Sequence, residues 1–222
     1  MGKTNNVLQE ALALACNGRL VFPARPDKTP LIKGWPDLAT ADEEKITGWF
    51  GKDQPPNLAV ITGHKSGFFC LDIDGPMGEA SLSELERLNG EISPQCSVRT
   101  ASGGRHFHFL MPNFDLRNSA GKLGPGLDIR ANGGYVLVPP SQAVNRNGQM
   151  GSYSYLSEIS LASGQLVAAP AWLLDLLRPL PPTPSHNPSL GVTASNSYGE
   201  KALEDECCRV ASAGAGERND TL

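Results

Sequence analysis

The chain has 222 residues, of which 40% are apolar and 19% charged, with a formal net charge of −4. That balance describes a soluble globular protein with one sizeable domain, or one domain plus an extension. No stretch approaches the roughly 20 apolar residues of a membrane span, so no membrane partner is expected. Cys16, Cys70, Cys96, Cys207 and Cys208 form an odd set without a Cys-x-x-Cys pair. Neither a disulfide framework nor a structural zinc is therefore expected, and a reducing cytoplasmic setting fits. Val7 to Cys16 superficially resembles the end of a lipoprotein signal, but Gln9 and Glu10 interrupt its apolar run. The negative total argues mildly against nucleic-acid binding. It hides a basic zone, because Arg99 to Arg146 holds six Lys/Arg against two acidic residues.

In chain order, Asn6 to Cys16 has helical periodicity, with Leu8, Leu12 and Ala15 on one face and Asn17-Gly18 as a stop. Arg19 to Pro23 predicts a short strand, and Lys28 to Trp35 a loop with strand character. Thr40 or Asp42 can cap a second helix that carries Ile46, Trp49 and Phe50. Leu58 to Ile61 and Phe68 to Ile73 read as buried strands. Ala80 to Leu88 predicts a helix with Leu82, Leu85 and Leu88 on one side. Ser97 to Thr100 and Arg105 to Met111 form a hairpin around Ser102-Gly103-Gly104. Leu127 to Arg130 and Gly134 to Val138 predict a second hairpin around Asn132-Gly133. Ser152 to Leu156 reads as a strand and Ala171 to Leu177 as a short helix. Residues 179–198 have the composition of a Pro/Ser-rich linker between a domain of residues 1–178 and a helical region starting at 199–222. The last piece is too short to fold alone.

Three motifs carry candidate chemistry. In Phe68 to Gly75 (FFCLDIDG), the strand period points Asp72 and Asp74 the same way, about 6.7 Å apart at Cα. Leu71 and Ile73 point into a core. Paired carboxylates repel unless a cation lies between them, and Mg2+ or Mn2+ takes such oxygens. The bland alternative is an ordinary Asp-Gly turn at a strand end. In Thr100 to Phe109 (TASGGRHFHF), the glycines permit close approach of a ligand, and His106 and His108 share a strand face. A histidine beside Arg105 can donate to a triphosphate, though a structural histidine is the commoner case. In Gly124 to Arg130 (GPGLDIR), Asp128 and Arg130 share a face, so a third carboxylate can complete a two-metal site. A surface Asp-Arg pair is the bland alternative.

Taken in order, Leu71-Asp72-Ile73-Asp74, Gly104-Arg105-His106 and Leu127-Asp128 resemble the bifunctional primase-polymerase N-terminal family of the archaeo-eukaryotic primase superfamily. Flanking segments share the likeness: Lys28-Thr29-Pro30 to Gly34-Trp35, Arg117 to Gly126, and Gly133 to Ser141. The resemblance implies an α/β (α+β) fold. An RRM-like antiparallel sheet would carry the carboxylates and pack with an N-terminal α/β unit. It implies template-dependent nucleotidyl transfer by a two-metal mechanism, as DNA primase or polymerase, in the replication of a mobile element or phage. Two Mg2+ or Mn2+ ions would sit on Asp72, Asp74 and Asp128, and His106 would contact the triphosphate of a dNTP or NTP. On charge and position, Ser102, Gly104, Arg105, Lys122 and Arg130 are candidates for the nucleotide. Lys33, Trp35 and Arg117 are candidates for single-stranded or primed DNA. Relatives often continue into a helicase, but no phosphate-binding Gly-x-x-x-x-Gly-Lys loop occurs here. A metal-dependent Asp-x-Asp transferase or phosphoesterase, and a non-catalytic DNA-binding module, are the competing readings.

Overall fold

The chain divides into two units, Met1–Pro179 and Leu180–Leu222. A computed structural model describes residues 6–145 and 147–179. The expected linker and the helix-compatible stretch after it lie outside the described residues.

The first unit opens with helix α1 (Asn6–Cys16), strand β1 (Val21–Ala24) and one helical turn, α2 (Trp35–Leu38). Helix α3 (Glu43–Phe50) and strand β2 (Asn57–Ile61) follow. Asp42 caps α3, its side chain accepting from the Lys45 amide at 2.9 Å. Next come β3 (Phe68–Ile73), α4 (Gly75–Asn89), β4 (Cys96–Arg99) and β5 (Arg105–Leu110). Beyond them lie β6 (Ser119–Ala120), β7 (Leu127–Arg130), β8 (Tyr135–Leu137) and β9 (Gln142–Val144). The unit ends with β10 (Met150–Ser152), β11 (Ser154–Tyr155) and α5 (Ala171–Leu177).

These strands form a mixed α/β architecture with antiparallel sheets. One sheet has the order β11-β4-β5-β3-β7-β6, a second β1-β2-β8, and β9 pairs with β10. The central strand β3 is buried along its whole length, and its two faces serve different cores. Phe69, Leu71 and Ile73 pack with Leu82 of α4, Phe107, Phe109, Ile129, and Leu173 and Leu177 of α5. Phe68 and Cys70 pack with Ala11 and Leu14 of α1, Ile46 and Phe50 of α3, and Leu58 and Val60 of β2. Asp72 is the next residue on that second face, where the apolar core gives out.

Several sequence expectations change. The buried stripe of α1 centres on Ala11 and Leu14, with Leu8, Leu12 and Ala15 flanking it. The Asp74-Gly75-Pro76 run starts a helix rather than only closing a strand. Asp74 is the N-cap of α4 and proline stands in its first turn, where its missing N–H costs nothing. Leu88, expected beside Leu82 on the core face, is 62% exposed. Strand β1 runs on to Ala24, and the Lys28 to Trp35 loop leads into α2. Residues β7 and β8 do not pair as a hairpin: β7 pairs with β3 and β8 with β2. The Asn132-Gly133 turn therefore carries the chain from one sheet to the other. Residues 150–155 likewise split into β10 and β11, in different sheets.

The start of α4 is locked onto the turn before β7. The Asp74 amide donates to the Gly126 carbonyl at 2.8 Å, and the Gly78 amide to Asp74 at 3.2 Å. Gly126 has φ +74°, and a Cβ there would lie 2.6 Å from the Gly78 nitrogen. Gly103 has φ +86° but faces open space. Gly103→Ala should therefore cost only the left-handed strain, about 1–2 kcal/mol. Gly126→Ala adds a backbone collision and should cost about 3 kcal/mol or more. Urea unfolding midpoints of the two variants check this ordering.

Candidate active site

Antiparallel register assembles the site. On β3, Asp72 stands directly opposite His106 of β5 on one side and Asp128 of β7 on the other. Directly opposed residues put their Cβ atoms about 4.5–5.5 Å apart, so the three side chains share one small patch. The His106 Nε2 lies 3.4 Å from Asp72 Oδ1. Arg130, two residues along β7 and on the same face, reaches Asp128 Oδ2 at 2.9 Å and Asp72 Oδ2 at 3.4 Å. Asp128 Oδ1 also accepts from the Gly121 amide at 3.1 Å. Asp74, anchored through Gly126, borders the same cleft as Asp72.

That cleft has a volume of about 320 Å³, and its wall includes Lys28, Thr100, His106, Asn118, Arg130 and Tyr135. The Gly133-Gly134 turn that crosses between sheets forms one rim. A Cβ on Gly134 would lie 2.4 Å from Asn118 Oδ1, so the rim closes only with glycine there. Asn118 Oδ1 itself accepts from the Ala131 amide at 2.7 Å.

Electrostatics make Asp72 the most constrained group. Burial pushes its carboxyl up, but the neighbouring His106 and then Arg130 outweigh that and hold it below the ordinary carboxylate range. An ionised, desolvated carboxylate beside an imidazole and a guanidinium has the chemistry of a ligand for a hard divalent ion. The donor set fits such an ion: Asp72 and Asp74 line the polar cleft, and Asp128 stands opposite Asp72 on the neighbouring strand.

The other candidates are dispersed around the cleft and beyond it. Ser102 borders a neighbouring pocket with Asp74, Gly75 and Pro76, and accepts from Lys28 Nζ at 3.5 Å. Arg105 does not reach the cleft. It lies on the opposite sheet face, where its Nε donates to Glu79 at 2.8 Å and its guanidinium covers Phe107. The i, i+2 rule forbids Arg105 and His106 from sharing a face. Packing by itself requires glycine at Gly104, since a Cβ there would lie 2.4 Å from the Ile73 carbonyl. Lys122 and Arg117 border a separate groove with Asn118, and Arg117 pairs with Asp115 at 2.9 Å. Trp35 packs on Phe22 and Tyr135, with centroids 5.0 and 4.9 Å away, so it buttresses the wall and is no free stacking platform. Lys33 is exposed and away from the cleft lining.

Lys28 is a site residue that the motifs did not reveal. It is the one non-glycine residue with positive φ among the described residues, at 72°. Its carbonyl accepts from the Tyr135 hydroxyl at 3.0 Å. The signal in the sequence was its place in the Lys28-Thr29-Pro30 segment that shares the family likeness.

With this geometry in view, one comparison decides the family. Residues 11–172 match the family described as bifunctional DNA primase/polymerase, N-terminal. The chain belongs to that family. No curated protein matches it. Membership makes this primase/polymerase domain a nucleotidyltransferase at family level, with DNA and nucleotides as the implied substrates and a general dependence on metal ions. Among the described residues no helix is long and apolar enough to cross a membrane.

The ion pairs of Asp72 give a pH signature. Its folded-state pKa is depressed. The resulting stability is present above the unfolded value and lost as pH falls through the folded one. The stability gap between the parent and Asp72→Asn should therefore narrow as pH drops below the ordinary carboxylate range. Thermal melts from neutral pH into acid read this directly.

Proposed function

We propose that the domain catalyses template-dependent nucleotidyl transfer on DNA, as primase, polymerase or both, with Asp72, Asp74 and Asp128 as its metal ligands. The observation that carries this is the double opposition of Asp72 to His106 and to Asp128 across two strand pairs. The RRM-like reading has support in the connectivity. The run β3-α4-β4-β5, followed by β7, sets β3 and β5 in the middle of the order β7-β3-β5-β4.

Divalent Mg2+ or Mn2+ bound on these carboxylates would supply activation of the attacking 3′-oxygen and charge neutralisation at the leaving pyrophosphate. The chain's own residues do the rest by position. His106 presents its ring on the cleft wall next to Asp72, within reach of a phosphate oxygen. Arg130 bridges Asp72 and Asp128 through one guanidinium nitrogen. Relieved of one carboxylate, it can turn to the triphosphate as a charge-assisted donor. Lys28 offers a second cation from the facing wall, held by its left-handed backbone and the Tyr135 hydroxyl. The buried flank formed by Val136, Leu137 and Tyr153 keeps water from one side of the cleft. The groove bordered by Arg117 and Lys122 shares Asn118 with the cleft and is the proposed approach of the template.

Extension of a primed DNA template with labelled dNTPs in manganese tests this. Asp72→Asn and Asp128→Asn should each lower extension about 10³-fold, which is ~4 kcal/mol of barrier, while binding of single-stranded DNA survives. Parental extension by Asp72→Asn would refute the metal assignment. Arg130→Ala should keep manganese binding but weaken dNTP affinity about tenfold, ~1.4 kcal/mol, as calorimetry would show. A phosphoesterase would instead consume dNTPs without lengthening the primer.

A further inference from the structure

Behind the carboxylate cleft lies a second group of ligating side chains with a different chemistry. On the face of β3 that carries Asp72, the preceding residue is Cys70, directly opposite His108. His106 and His108 are neighbours on the same face of β5, with ring centroids 5.9 Å apart. One donor atom from each of Cys70, His106 and His108 lies within 4.8 Å of the other two, and all three residues are buried. Cys70 and His108 have no exposed surface at all.

Two ring nitrogens in this group are bare. His106 Nδ1 and His108 Nε2 are buried without a hydrogen-bond partner. Their opposite nitrogens are engaged: His106 Nε2 faces Asp72 at 3.4 Å, and His108 Nδ1 meets Cys96 Sγ at 3.4 Å. Buried imidazole nitrogens are ordinarily paired, and a bare pair beside a buried thiol needs a reason.

We propose that Cys70, His106 and His108 form a buried site for one thiophilic transition ion, of the Zn2+ class, separate from the carboxylate site for Mg2+ or Mn2+. Zinc bonds of about 2.0–2.3 Å place tetrahedral ligands about 3.5 Å from one another. The cluster closes to that size with shifts of about 1 Å. One thiolate and two imidazoles select zinc-like ions over magnesium, whereas three carboxylates do the reverse. Binding releases the Cys70 thiol proton to solvent, and a tetrahedral ion keeps one position for water. The arrangement then reads carboxylate–histidine–metal, with Asp72 on the outer nitrogen of His106 until that carboxylate turns to its own ion and leaves the nitrogen to a phosphate oxygen. The ion would hold the His106 ring in the orientation it presents to the cleft. This site does not depend on the nucleotidyl-transfer reading, since its donors are assigned by geometry alone.

Cobalt is the direct probe. The 222-residue chain carrying Cys16→Ser, Cys207→Ser and Cys208→Ser keeps only Cys70 and Cys96 as thiols. Metal-stripped protein should bind one equivalent of Co2+ with the absorption of a tetrahedral ion and a thiolate-to-cobalt charge-transfer band. Excess Mg2+ should leave that spectrum in place, and one equivalent of Zn2+ should bleach it. Cys70→Val, which keeps apolar volume, should lose the charge-transfer band and bind Co2+ roughly 100-fold more weakly. Should that variant fail to fold, Cys70→Ser should retain a weakly bound ion without the sulfur band. Absence of the band in the parent background, an octahedral carboxylate-type spectrum, or an unchanged band in either Cys70 variant would overturn the proposal.

Discussion

The pairing register of β3 with its two neighbours is the constraint on which the site rests. Shifting either neighbour by one residue would turn every side chain of that strand to the other face. Here both faces of β3 are buried, so a slip would drive charged groups into an apolar core on one side and pull phenylalanines from the other. The core therefore enforces the register, and the register places Asp72 between His106 and Asp128. Asp72, His106 and Asp128 need no flexible loop to bring them together.

A second lock sets Asp74. Its amide bonds to Gly126, immediately before β7, so the strand end that carries Asp74 and the strand start that leads to Asp128 are fastened at one point. Backbone contacts this close tolerate no side chain. The result is a patch of carboxylates in which Asp72, though desolvated, stays ionised because His106 and Arg130 stand beside it. Under the proposed metal assignment, Arg130 and the ion would compete for the same oxygens.

The sequence made the central strand legible because both signals coincide there. An apolar run marks burial, and a period of two sorts Asp72 and Asp74 from Leu71 and Ile73. Capping chemistry likewise made Asp42 readable as the start of α3. What escaped was non-local. The Asn132-Gly133 turn has the chemistry of a hairpin, yet each flanking strand finds a better partner in a different sheet. Arg105 looks like a phosphate donor by proximity to His106, but alternation sends it to Glu79 on α4. Gly104 looks like a ligand-approach glycine but is dictated by the Ile73 carbonyl. Lys28 belongs to a flanking segment of the family likeness, but its place in the cleft comes from its left-handed backbone and from the packing of Tyr135. Of the Cys70, His106 and His108 group, the His-x-His spacing was visible in the sequence, but only strand pairing brings Cys70 to it.

The central claim is that Asp72, Asp74 and Asp128 meet around shared divalent cations. Crystals soaked with manganese and a non-hydrolysable dNTP, measured at the manganese absorption edge, test it most directly. The account predicts anomalous density bounded by these three carboxylates, with the triphosphate beside His106 and Arg130. Manganese density elsewhere, with Asp72 and Asp128 still held by His106, Arg130 and the Gly121 amide, would contradict it.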